Sequence, residues 1–444
     1  MRPHHGVLVP LFSLHAKTSC GIGDFKALIP LIDWCKNVGF DTIQLLPIND
    51  TGEELSPYYA LSSFALDPIY INIPELATPE RLPRNQIKLQ KMKWLRKKYE
   101  EGEHRDEVQE FLKGNSWLDS YARFKDRNDF EFHLFLQFFA CEQMKEVKRY
   151  ATKRGVFLKG DFPISISPKS ADVVAYPQLF NLRYSSGAPP DYYNREGQNW
   201  GSPIFNWEEM RKEKFAWWKE RLKVAEQFFH LYRIDHVMGL FRIWAVAEGE
   251  IPSQGRYLPT DPEEWERQGR EALEMLVKNS SMLPMGEDLG VVPEVVRKTL
   301  REYGICGTKV LRWEKIPPRE YEPISMTTVS TADSAPLQLW WRDFPEEAMR
   351  LCKEKGWHYE AKLSVQQRRE ILRDAHQSGS LFHINPIQEY LALFPDLVSS
   401  DPEEERINIP GTVLSTNWTY RMKPSVEELM EHRGLAEEIA RMIQ

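Results

Sequence analysis

The stretch HLYRIDHVMG, residues 230–239, decides how this chain is read. An apolar run over residues 228–234 breaks off at Asp235, as a buried strand does when it delivers a polar residue to the rim of a sheet. The same sentence is written seven more times, over residues 7–12, 42–47, 156–158, 282–285, 309–311, 327–329 and 381–384. Each run ends in polar residues, and most are followed by a helix-period pattern. Eight such units predict an α/β fold, a (β/α)₈ TIM barrel, with helical and loop insertions around the catalytic face. In that fold the residues just after each strand line the site, so the polar strand ends are the candidates.

Length and composition leave room for this reading and close others. The 444 residues fit one barrel domain with insertions at about residues 50–155 and 245–280, and no repeat or linker marks a boundary. A charged stretch at 81–128 reads as a helical insertion with a solvated face. Pro252, Gly255, Pro259 and Pro262 make 248–268 read as a loop. With 42% apolar and 28% charged residues the chain is expected to be a soluble protein with a large core. A net charge of -7, from 65 acidic and 58 basic residues, argues against a nucleic-acid partner or a membrane patch. The apolar run at residues 6–14 contains Pro10 and lacks a small-residue cleavage site, so it reads as a strand rather than a signal peptide. Five cysteines without a CxxC pair read as reduced thiols, and a cytoplasmic location is expected.

Three strand-end carboxylates carry the chemical expectation: Asp235, Glu287 in LPMGEDLG (283–290) and Asp333 in TTVSTADS (327–334). Cleaving a glycosidic bond needs one acid to protonate the leaving oxygen and one carboxylate at the anomeric carbon, about 5 to 5.5 Å apart in retaining enzymes. Arg233 precedes Asp235 by two, so both side chains point to one face of a strand, where the guanidinium would hold the carboxylate ionised. Asp288 adjoins Glu287, and two neighbouring acids raise the pKa of one of them. The 14 Trp, 17 Tyr and 22 Phe suit the stacking of sugar faces. No HxH, HExxH, GxGxxG or GxxxxGK[ST] pattern occurs, so no metal and no cofactor are expected, and the adjacent His4 and His5 do not by themselves make a metal site.

The chain also resembles the amylomaltases, or disproportionating 4-α-glucanotransferases. The resemblance is carried, in order, by SLHAKTSCGIGDF (13–25), IQLLPIND (43–50), SPYYALSSFALDP (56–68), LKGDFPISI (158–166), GQNWGSPIFNW (197–207), YRIDHVMGLFRIW (232–244), GEDLGVVP (286–293), the STADS strand end, ERINIPGT (405–412) and NWTYRM (417–422). It implies a nucleophile at Asp235, an acid/base at Glu287 and a third carboxylate at Asp333 that binds sugar hydroxyls and distorts the ring. It implies sugar-stacking rings at Tyr58 and Trp200, a groove lined by Asp161 and Gln198, and substrate-binding residues at Arg233 and His236, which flank the nucleophile. The implied substrates are maltooligosaccharides and glycogen- or starch-derived glucans, with no obligate protein partner. At one position the chain departs from the family pattern: Ala332 stands where a histidine usually precedes the third aspartate. That departure leaves a weakly active or non-catalytic glucan-binding protein as an alternative expectation, and because the same three acids serve hydrolysis, an alpha-glucan hydrolase is another.

Overall fold

The computed structural model describes residues 2–102, 104–191 and 194–444. Eight parallel strands form its centre: β1 (His4–Leu8), β2 (Thr42–Gln44), β3 (Phe157–Phe162), β4 (Leu231–Ile234), β5 (Leu283–Gly286), β6 (Gly307–Val310), β7 (Ser325–Thr328) and β8 (Phe382–Pro386). Neighbours in space follow chain order, with β8 returning to pair with β1. Between β5 and β6 a bridge joins Met285 to Cys306, and Gly286 N–H donates to the Cys306 carbonyl at 2.8 Å, closing a (β/α)₈ barrel.

Helices cover the outside of the barrel, so its strands are buried on both faces. On β8, Phe382–Pro386, every residue is buried, as a parallel strand between two layers requires. Helix Leu28–Val38 lays Leu28, Leu31, Ile32, Trp34, Cys35 and Val38 on the core, and ends where Gly39 takes the left-handed conformation (φ 93°) that a side chain would strain. Four helices, Arg84–Glu100, Arg105–Gly114, Trp117–Lys125 and Phe130–Arg154, lie between β2 and β3. All five cysteines are buried and unpaired, and no described helix is long and apolar enough to cross a membrane.

Each expected strand has a counterpart, with its limits moved for local reasons. The first runs over His4–Leu8 rather than 7–12: Pro10 has no N–H to donate, and Leu11–Ser13 coil into a 3₁₀ turn. The third continues past 158 to Phe162. Its polar residues point into the barrel, where Lys159 Nζ donates to Gln44 Oε1 at 2.9 Å and burial drives its pKa down to about 7. Gly160 between them faces out, where a Cβ would sit 2.6 Å from the Phe229 ring.

Two features depart from the sequence reading. The stretch 248–268 is only partly loop: Arg256–Leu258 is a strand, and helix Pro262–Lys278 begins inside it. Pro262 occupies the first helical position, with the Asp261 side chain accepting from Glu263 N–H, so the proline starts a helix instead of interrupting one. The sequence reading also lacks an antiparallel four-stranded sheet, ordered Gln198–Phe205, Phe180–Ala188, Ile243–Ala247, Arg256–Leu258. Its strands come from the segments that follow β3 and β4 in the chain.

Candidate active site

The barrel's carboxyl-terminal rim encloses a cleft of about 440 Å³, lined by Tyr58, Asp161, Arg233, Glu287, Ala332 and Asp333 among others. Asp235 follows directly on β4 and Glu287 on β5, and these strands are hydrogen-bonded neighbours. Their carboxylates therefore emerge side by side.

Arg233 organises the floor of the cleft. Its Nη2 lies 2.9 Å from Asp235 Oδ1 and 2.9 Å from Glu287 Oε1, while Nη1 donates to both oxygens of Asp161 at 2.8 Å. The two oxygens that share this nitrogen are at most twice 2.9 Å apart, so the two carboxylates face one site. Asp161, fully buried on β3, also accepts from the Tyr58 hydroxyl at 2.8 Å, so that ring is fixed at the cleft wall. The rest of the tie comes from a strained residue: His236 has a left-handed backbone (φ 42°), which aims its N–H at Glu287 Oε2, 2.8 Å away.

Four carboxylates around one guanidinium leave more negative charge than the arginine neutralises. Burial, then the neighbouring Glu287, Asp161 and Asp333, pushes Asp235 well above the usual carboxylate range in spite of Arg233. For Glu287 the balance is reversed: burial raises it, but Arg233 and the His236 N–H together bring it below its ordinary value. In the sugar-free site burial thus works against the ionised form of Asp235 that Arg233 favours. Both carboxylates pair with one nitrogen, so the two titrate as a coupled pair. The adjacent acid does not lift Glu287. Asp288 turns away to accept from Thr308 N–H at 2.7 Å, and it is Asp288 that burial raises.

The remaining expected residues gather around this centre. Asp333, raised chiefly by burial, accepts from Asn408 Nδ2 at 2.7 Å. Trp200 stands edge-on to His236, ring centroids 5.0 Å apart, and its Nε1 donates to Gln198 Oε1 at 3.1 Å. Both sit on the strand Gln198–Phe205 of the second sheet. Ala332 is buried in the cleft wall beside Asp333, so the departure from the family pattern lies within the site. The sequence reading assigned no role to Asn408 or to Trp418, whose ring lies 5.5 Å from that of Tyr58. Both belong to segments that carried the resemblance, INIP and NWTYRM, and that was their only signal.

Comparison with known proteins gives a consistent result. A 4-alpha-glucanotransferase family model, glycoside hydrolase family 77, matches residues 9–129 and 125–427. The 4-alpha-glucanotransferase of Chlamydia caviae is 42% identical, over 99% of this chain and 94% of that protein. One from Oryza sativa subsp. japonica is 25% identical, over 99% of this chain and 69% of its own length. Among solved structures, the amylomaltase of Streptococcus agalactiae, in complex with acarbose, superposes with a TM-score of 0.85, covering 99% of this chain and 98% of the other at 21% identity.

Proposed function

From the premise that this chain belongs to the 4-alpha-glucanotransferase family, we propose that Asp235 is its nucleophile, Glu287 its acid/base and Asp333 its third sugar-binding carboxylate. The protein is a retaining 4-alpha-glucanotransferase, in a family that acts on alpha-glucans such as maltooligosaccharides. The observation that supports these two residues as a working pair is the Arg233 guanidinium, paired at once with Asp235 and Glu287. Such a pair is what retention needs, one group to attack the anomeric carbon and the other to protonate the glycosidic oxygen, and the division of roles between them follows the family pattern.

The roles require the proton to move. In the sugar-free site burial raises Asp235 while Arg233 and the His236 N–H hold Glu287 low; the productive complex needs the proton on Glu287. A glucan that enters the cleft with its scissile oxygen at Glu287 removes water from that carboxyl and accepts its hydrogen bond, which favours the acid form there. Asp235, ionised and paired with Arg233, then attacks to form a covalent glycosyl-enzyme. Glu287, left as the carboxylate, takes the proton of the acceptor hydroxyl, which attacks the same carbon and frees Asp235. Two inversions give net retention. Asp333, oriented by Asn408, holds hydroxyls of the distorted ring. Tyr58, Trp200, Gln198, Asp161 and His236 line the groove, in which longer glycogen- or starch-derived chains would also lie. The reading needs no cofactor, and a cytoplasmic setting, a single-domain organisation and independence of protein partners are parts of the same proposal.

Transfer and hydrolysis share these steps and differ only in what intercepts the intermediate. Incubation with maltotriose separates them: transfer yields a ladder of chains longer than the donor, whereas glucose and maltose alone would overturn the reading.

Ala332 supplies a second expected result. The imidazole that the family pattern places there would donate to sugar hydroxyls, and a bond strengthened in the transition state acts on the chemical step. Ala332→His is therefore expected to raise kcat for maltooligosaccharide transfer by roughly tenfold, about 1.4 kcal/mol of barrier, with little change in KM. A stably folded variant whose kcat is unchanged or lower would show that the wall has been rebuilt around alanine.

A further inference from the structure

At the opposite end of the barrel three histidines converge. His5 is the second residue of β1, His383 lies in β8, and the two are direct register partners, so their rings leave the same side of adjacent strands. His376 closes helix Val365–His376, which packs over that side. His5 Nδ1 is 2.9 Å from His376 Nδ1 and 3.2 Å from His383 Nδ1, and one nitrogen from each of the three rings lies within 4.8 Å of the others. His376 and His383 are buried and His5 is half-buried, so the cluster has solvent on one side.

Hydrogen bonding alone does not satisfy this arrangement. A neutral imidazole carries one N–H and one lone pair. With His5 Nδ1 facing two other Nδ1 atoms, no tautomer gives each contact its own N–H and its own lone pair: one N–H is shared by two acceptors, one lone pair by two donors, or like groups face each other. A cation at the centre would take all three lone pairs. Nitrogens about 2.0 to 2.1 Å from a tetrahedral zinc are roughly 3.3 Å apart, close to the spacings found here. Outer partners are present too. His376 Nε2 meets the Tyr390 hydroxyl at 2.8 Å, which in turn accepts from Asn385 at 2.9 Å.

We propose that His5, His376 and His383 form a site for a divalent transition-metal cation of the zinc class, with water from the His5 side as fourth ligand, clasping the first strand of the barrel to its last strand and the helix before it. His5 is more than 370 positions from either of the other two ligands, so the bound cation would tie the barrel's first strand to its last. The site lies away from the carboxylates at the other rim and takes no part in transfer.

The test uses the whole protein, stripped with a chelator and titrated with Zn²⁺ and, separately, with Co²⁺ as a spectroscopic probe. One equivalent of Zn²⁺ is expected to bind. At a hundredfold excess over Kd it should raise the melting temperature by roughly 3 °C or more. Co²⁺ should give the visible absorption of a four-coordinate site. His5→Gln and, separately, His376→Gln should abolish the spectrum and the thermal shift, while maltotriose transfer at 25 °C is the same in stripped and reloaded wild type. Absence of saturable binding tighter than on the order of 10 µM in the wild type overturns the site whatever the variants do. So does stoichiometric binding that survives in His5→Gln, and so does loss of transfer on stripping, which would place a metal at the catalytic rim instead.

Discussion

Asp235→Asn is expected to leave a folded protein whose transfer from maltooligosaccharides falls by at least about a thousandfold, some 4 kcal/mol of barrier. The amide fills the same space but cannot form the glycosyl ester. Arg233 keeps its bonds to Asp161 and Glu287, so the cleft floor stays in place. Stability should move the other way. The folded pKa of Asp235 lies above its unfolded value, chiefly through burial, so the native state binds more protons and this carboxyl costs stability as pH rises through that interval. Asparagine removes the cost, and the variant's melting temperature at neutral pH should equal or exceed that of the wild type. A folded variant retaining more than a tenth of the transfer rate would take the nucleophile's role from Asp235. A variant that melts well below the wild type would show that its carboxylate is structural.

Glu287→Gln is expected to abolish transfer from ordinary maltooligosaccharides to a similar extent, while a donor with a good leaving group still loads the enzyme. The reason is specific to the role: only a poor leaving group needs a proton as the bond breaks. The second half-reaction also slows, since glutamine cannot take the acceptor's proton, so a covalent adduct on Asp235 should build up and be visible by mass spectrometry of the intact protein. Equal loss with both donor types, without an adduct, would remove Glu287 from acid/base catalysis. The structure makes this test sharper than the sequence did. In the sugar-free cleft Glu287 is the group held low, with Arg233 and the His236 N–H outweighing burial, so its acid role depends on the bound glucan to return the proton.

Much of this was legible before any coordinates. Strand after strand announced itself through a short apolar run closed by polar residues, a signal that local chain chemistry writes and tertiary structure only trims. That is why Asp235, Glu287 and Asp333 could be placed at one rim, and why the two-residue offset put Arg233 on the face of Asp235. The four-stranded sheet carrying Gln198 and Trp200 left no such mark. The strands Phe180–Ala188 and Gln198–Phe205 pair through register shifts and mix buried, half-buried and exposed residues without a strict alternation. What only the tertiary structure decided are the meetings of distant residues and the charge states that follow: Asp161 from the third strand against Arg233 on the fourth, Asn408 against Asp333, the coupled titration of two acids, and His5 beside His376 and His383. Periodicity and propensity act over a few residues, whereas a pKa or a ligand set depends on which groups the closed barrel brings within a few ångströms, whatever their separation along the chain.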